Sequence, residues 1–205
     1  MKQLAAAIAT AFALWFVMFS PWTAPHVPFW WTMTGAALIL TTLSTVWNRG
    51  WWRRLRFSWS EVLLGVAIAA ALWGVYWVGD KLSQLMFSFA RPQVNLIYSM
   101  KDGWSSVLLS VLLLLLIGPA EEIFWRGYVQ QRLSERWNAN AGFVVTTLVY
   151  AVVHAPSLNF MLLMAALVAG GVWGLAYRLM PRRFTAIILS HALWDAAVFI
   201  WFPIQ

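Results

Sequence analysis

Two adjacent carboxylates and an arginine, Glu121, Glu122 and Arg126, follow within a few residues of Val107–Ile117, a run of leucine, valine and isoleucine interrupted only by Ser110. A run of that kind belongs in hydrocarbon. In hydrocarbon every backbone N–H and C=O must be paired internally, so the segment has to be a helix. A carboxylate at that depth costs several kcal/mol unless it is paired, protonated or solvated in a cavity, which makes a functional site the default reading of the motif.

The same constraint recurs along the chain. Apolar stretches fall at residues 4–20, 32–48, 61–79, 104–136, 140–155, 158–179 and 184–202, most of them near the ~20 residues that a helix needs to cross a bilayer. The expected fold is therefore an all-α polytopic membrane protein of about seven transmembrane helices, with the active site in the C-terminal four-helix half. Composition agrees, since 62% hydrophobic and 10% charged residues are too apolar a mix for a soluble domain of this size. No cysteine is present, which excludes a disulfide framework, a thiolate metal site and a cysteine nucleophile.

Between the spans the chain reads as interface. Residues 21–31 combine Pro21, Pro25 and Pro28 with Trp22, Trp30 and Trp31, a proline-broken turn suited to the headgroup region. Within 80–103, Leu82, Leu85, Met86 and Phe89 recur at helical spacing, which predicts a short interfacial helix ended by Arg91-Pro92, either a lid or a segment lying on lipid. The first span is read as a retained helix, because its run is long for a signal-peptide core.

The formal charge of +7 lies mostly in short loops, a sign of membrane topology and not of a nucleic-acid surface. With the N-terminus cytoplasmic, Lys2, the arginines of 49–56, Arg132, Arg136, Arg178, Arg182 and Arg183 are inside, and Lys81, Arg91 and Lys101 outside. The positive-inside rule then favours seven spans, N-in and C-out.

On a helix Glu122 and Arg126 share a face, whereas Glu121 points ~100° away from Glu122. Glu122 is thus expected to be held by Arg126, leaving Glu121 for chemistry. Two later spans add polar pairs at the same four-residue spacing, Tyr150 with His154 and His191 with Asp195. Taken alone each pair is ambiguous, and a lone membrane histidine is more often a helix-to-helix hydrogen bond than a catalyst. Three spans offering ionisable groups to one cavity point further. No hydroxyl or thiol nucleophile accompanies them, so water is the expected nucleophile. A carboxylate can take its proton while a histidine orients it, and a second histidine can donate to the developing oxyanion. Alternatively, the histidines and carboxylates bind a divalent metal such as zinc that activates the water.

The series Glu121-Glu122-x-x-x-Arg126, aromatic-x-x-x-His154 and His191-x-x-x-Asp195 on successive late helices resembles the CPBP intramembrane proteases, the CAAX prenyl endopeptidase and bacteriocin-processing family. The resemblance covers about residues 104–202; residues 1–103 match only as hydrophobic spans, so a division into an N-terminal segment 1–103 and a catalytic core 104–205 is expected. It implies that Glu121 is the general base, that His154 helps to activate water, that His191 and Asp195 stabilise the oxyanion, and that Glu122 and Arg126 hold the site together. It also implies glutamate-type hydrolysis with no cofactor. Two positions depart from the family pattern. Tyr150 stands where Phe is more typical, and Asp195 stands where Asn is frequent. An ionised carboxylate cannot donate to an oxyanion, so Asp195 would orient His191, be protonated or bind a metal.

The expected function is hydrolysis of peptide bonds in membrane-associated or lipid-anchored substrates, with the lipid bilayer and a protein or peptide substrate as partners and no nucleic acid. The expected location is a bacterial inner (plasma) membrane. The alternative is a non-proteolytic membrane binding or bacteriocin-immunity protein of the same fold; a proton-coupled transporter is disfavoured because no pair of symmetric broken helices is visible. Depth supplies a check. At ~1.5 Å per residue, His191 lies roughly 12 Å and His154 roughly 21 Å from the cytoplasmic ends of their spans, unequal depths for two residues expected to share a site.

Overall fold

The computed structural model describes residues 1–204. Seven of its helices are long and apolar enough to cross a membrane: α1 (Lys2–Phe19), α2 (Phe29–Trp47), α3 (Trp59–Met86), α5 (Ser106–Arg136), α6 (Ala139–Ser157, ending in a 3₁₀ turn), α7 (Phe160–Leu179) and α8 (Phe184–Trp201). A shorter helix, α4 (Ala90–Ser99), lies between α3 and α5. No strand occurs among the described residues. The outward faces are apolar, with Leu63, Val107 and Leu115 among the most exposed side chains. Such a surface is stable only against lipid. The protein is an integral, multi-pass membrane protein.

Helix starts follow their capping residues. Ser58, Ser105, Asn138 and Asn159 each accept a hydrogen bond from a first-turn N–H of α3, α5, α6 and α7. The segment 80–99 departs from the pattern expected of it. Leu82, Leu85 and Met86 belong to the last turns of α3, which runs on to Met86, and the short helix begins at Ala90, where it was expected to end. Arg91-Pro92 therefore sits in a first turn. Proline is tolerated there because its missing N–H has no intrahelical partner in any case.

α5 departs from α-helical pairing on both sides of the acidic motif. Residues Leu113–Ile117 and Trp125–Gln130 form π-helical turns. Pro119 lacks an N–H and its ring crowds the carbonyl four residues earlier, so the turn before it widens, with Gly118 donating to Leu113, five residues back. The insertions set the direction in which Glu121 and Glu122 leave the helix.

Close helix approach fixes the rest. A Cβ at Gly118 would stand 2.7 Å from Ala192 Cα, so α5 and α8 touch backbone to backbone one residue from His191. A Cβ at Gly170 would meet the Tyr150 ring at 2.9 Å, which brings α7 against α6. Small residues at crossings are how membrane helices gain packing energy when lipid removes the hydrophobic drive. One buried apolar cluster runs from Leu4 and Trp15 of α1 through Leu40 of α2 to Phe124 and Tyr150, joining the first half of the chain to the second.

Gly118→Val is expected to overpack the α5–α8 crossing and cost about 1–3 kcal/mol. Gly35→Val, where no atom lies within 4 Å of the added Cβ, serves as control. Thermal unfolding in detergent should show a lowered midpoint for the first variant and an unchanged one for the second; equal midpoints would contradict the crossing.

Candidate active site

Glu121 and Glu122 lie in the middle of α5, both buried, and leave the helix toward different neighbours. Glu121 Oε2 accepts a hydrogen bond of 2.8 Å from the Tyr150 hydroxyl of α6. Glu122 Oε1 accepts from Arg126 Nη1 at 2.8 Å and from His191 Nδ1 of α8 at 2.7 Å. The expected Glu122–Arg126 pair is present, and its carboxylate has a second task that spacing along α5 could not reveal.

Arg126 is fully buried. Its Nη2 donates to the Gly170 carbonyl of α7 at 3.0 Å, and its guanidinium lies 5.0 Å from the Tyr150 ring centroid and 5.7 Å from that of Trp173. Cation–π contacts of that length stabilise a desolvated guanidinium. Trp173 in turn stacks on the His191 imidazole at 3.6 Å between centroids and 13° between planes. Its indole N–H reaches Ser190 Oγ at 3.1 Å. The orientation of the His191 ring is therefore set by a carboxylate at Nδ1 and an indole on its face. Nε2 of His191 lies 3.4 Å from Asp195 Oδ2, one turn further along α8.

His154 sits just past the last α-helical turn of α6, where carbonyls lack intrahelical donors. A carbonyl can only accept, so the 2.8 Å contact between His154 Nδ1 and the Tyr150 carbonyl places the proton on Nδ1. Nε2 then carries the lone pair, and it accepts from the indole N–H of Trp15 at 2.9 Å. Both ring nitrogens are engaged. Trp15 belongs to α1, 139 residues away in sequence, and no four-residue pattern could have found it. The N-terminal part of the chain thus closes onto a residue of the C-terminal motifs.

Glu121, His154, His191 and Asp195 all line one cavity of about 520 Å³, together with Tyr150, Trp15, Tyr76 and Trp194. The unequal depths expected for the two histidines are found, His154 at the end of α6 and His191 at mid-span of α8, yet both line the same cavity. The cavity is mostly apolar; besides the motif residues its ionisable lining includes Asp80 of α3, which pairs with Arg91 at 2.7 Å.

A divalent ion needs three or four converging donors with free lone pairs. The donor set does not meet that requirement as arranged. His154 has its lone pair on Trp15, His191 is held between Glu122 and Asp195, and no group of three or more His, Asp and Glu among the described residues is placed to hold a metal.

Trp15→Phe keeps an aromatic ring in the α1 packing but leaves the buried Nε2 of His154 without a donor, which costs about 1–3 kcal/mol. Trp22→Phe, at a side chain 68% exposed, should cost nothing measurable. Thermal unfolding of the two variants in one detergent checks this, and equal midpoints would contradict the Trp15–His154 bond.

Against known families, residues 103–197 match the model described as Type II CAAX prenyl endopeptidase Rce1-like. Comparison with curated proteins and comparison with solved structures each returned no match. The matched segment starts just before α5 and ends in α8, so it contains all six motif residues and excludes Trp15 and Tyr76. Over residues 103–197, a little under half of its length, the chain is thus similar to the CAAX-protease family of membrane proteases.

Proposed function

We propose that the protein is an intramembrane endopeptidase that hydrolyses peptide bonds of membrane-associated or lipid-anchored substrates with water activated by Glu121. The observation that carries this reading is the division of the two acids. Glu122 is consumed by Arg126 and His191, whereas Glu121 is engaged by a single neutral donor, Tyr150, at one of its two oxygens. Oε1 is then the atom for a nucleophilic water, inside a cavity large enough for a peptide segment.

In this scheme Glu121 takes a proton from water as the oxygen attacks the scissile carbonyl carbon. Negative charge moves to the carbonyl oxygen. His191 is the candidate donor to it through Nε2, its Nδ1 being committed to Glu122. To donate from Nε2 at the same time, the ring must carry both protons, a state favoured by the carboxylates of Glu122 and Asp195 on its two sides. Asp195 thus orients and supports His191 and need not donate itself. Collapse breaks the C–N bond, and Glu121 passes its proton to the departing amine. His154 joins the reaction only when Trp15 releases Nε2; in the arrangement described it braces Tyr150, and through it Glu121. The hydrolysis is read as metal-free.

The test compares the termini of all membrane and exported proteins in cells making wild type or Glu121→Gln at equal levels. Termini that appear only with wild type, and persist when the membranes are assayed in chelator, support the proposal. Identical termini with both proteins well accumulated would favour a binding or immunity role, and loss of the new termini in chelator would overturn the metal-free reading.

A further inference from the structure

The two ends of the helical bundle are built differently. At one end the arginine-rich segment 49–56 is laid across the helix ends. Arg54 donates to the Gly127 carbonyl at 2.9 Å and to the Tyr177 hydroxyl at 2.7 Å, and its guanidinium covers the Phe184 ring at 4.7 Å. Asn48 also donates to Gly127, at 2.8 Å. Arg183 pairs with buried Glu61 at 3.0 Å, and Glu61 accepts from the Ala186 N–H. Beneath this layer Trp125, Val129 and Phe184 are fully buried, and no residue of 48–58 or 178–183 lines the cavity that holds Glu121.

The cavity occupies the opposite half. Each helix contributes to it from the portion remote from the basic loops: Trp15 late in α1, Trp30 at the start of α2, Ser83 late in α3, Leu113 early in α5, His154 at the end of α6 and Phe160 at the start of α7. α4 forms part of its wall through Val94 and Tyr98. That helix is tied down by Gln93 to Asn159 and Met161 and by the Tyr98 hydroxyl to the Ile204 N–H. To one side the lining reaches the lipid-facing surface between α3 and α7, at Val75 and Val168, 48% and 38% exposed. The Tyr76 hydroxyl bridges that gap to the Ala165 carbonyl.

We propose that the site takes its substrate from the face of the membrane opposite the basic loops, the exoplasmic face. The substrate class is then a peptide segment on the exoplasmic side of a membrane anchor, with the anchor remaining in lipid beside α3 and α7, and not a cytoplasmic lipidated tail. The assignment of faces follows from charge. The loops and helix ends at the sealed end carry Arg49, Arg53, Arg54, Arg56, Arg178, Arg182 and Arg183, whereas the cavity end carries only Lys81, Arg91 and Lys101, with no lysine or arginine in the loops 20–28 and 153–159. The substrate class rests on the hydrolytic reading; the sidedness does not.

The natural chain has no cysteine, so single cysteines report without background. Ser83→Cys and Val94→Cys mark the cavity wall, and Arg53→Cys and Arg182→Cys mark the sealed end. Intact cells are treated with a membrane-impermeant maleimide before and after permeabilisation. The cavity-wall cysteines should be labelled in intact cells to the extent reached after permeabilisation, and the sealed-end cysteines only after it. The reverse pattern overturns the proposal, as does labelling of the cavity-wall cysteines only in denatured protein. Because the readout needs no cleavage, its failure is distinct from failure of the protease reading, which the comparison of termini decides.

Discussion

Glu122 is the constraint on which the site depends. One buried carboxylate oxygen receives the Arg126 guanidinium and the His191 imidazole, so α5 and α8 are joined through it, and Arg126 extends the link to the Gly170 carbonyl of α7. The arrangement is not optimised for stability. Among the described residues, Glu122 Oε2 and Arg126 Nε are buried without a partner, and a buried ion pair so incompletely compensated is weak evidence of stabilisation. Its value lies in position. It fixes the ring of His191 and commits Glu122 to Arg126 and His191, which on the proposed reading leaves the neighbouring acid as the reactive one.

The backbone supplies the directions. Adjacent residues of a helix diverge by ~100°, which sends Glu121 toward Tyr150 of α6 and Glu122 toward His191 of α8. Pro119 widens the preceding turn and Gly118 admits α8 to backbone contact, so the same five-residue stretch that carries the acids also sets the distance to their partners. Neighbouring side chains then lock the rings: Trp173 stacks on His191, Arg126 lies over Tyr150, and Trp15 donates to His154. Ring orientations held from two sides are what a site needs if donors are to be preorganised for charge that develops during reaction.

Much of this was legible in the sequence, for a physical reason. Hydrocarbon forces spans to be helical, so seven apolar runs translate into seven helices, each end except that of α3 falling close to the expected one, and four-residue spacing within one helix reports a shared face, as for Glu122 and Arg126. Contacts between helices left no such trace. The bond from Trp15 to His154 joins α1 to α6, and that from Glu122 to His191 joins α5 to α8; nothing in local spacing encodes either. The start of α4 was misread because Leu82, Leu85 and Met86 continue the period of α3 into a more polar region, where hydropathy weakens although the helix does not end. Asp195 looked like an obstacle to oxyanion stabilisation while it was read alone. Beside His191, with Glu122 on the other side of the ring, it has a supporting place.

On the proposed reading the neighbouring acids have opposite tasks, Glu122 holding the structure and Glu121 held ready by it. Thermal unfolding of Glu121→Gln and Glu122→Gln, side by side in the same detergent, tests it most directly. Gln at 121 can still accept from Tyr150, so that variant should unfold within about 1 kcal/mol of wild type. Gln at 122 leaves Arg126 buried without its counter-charge, and a loss of about 3–5 kcal/mol is expected. Equal unfolding of the two variants, or the greater loss at 121, would contradict the account.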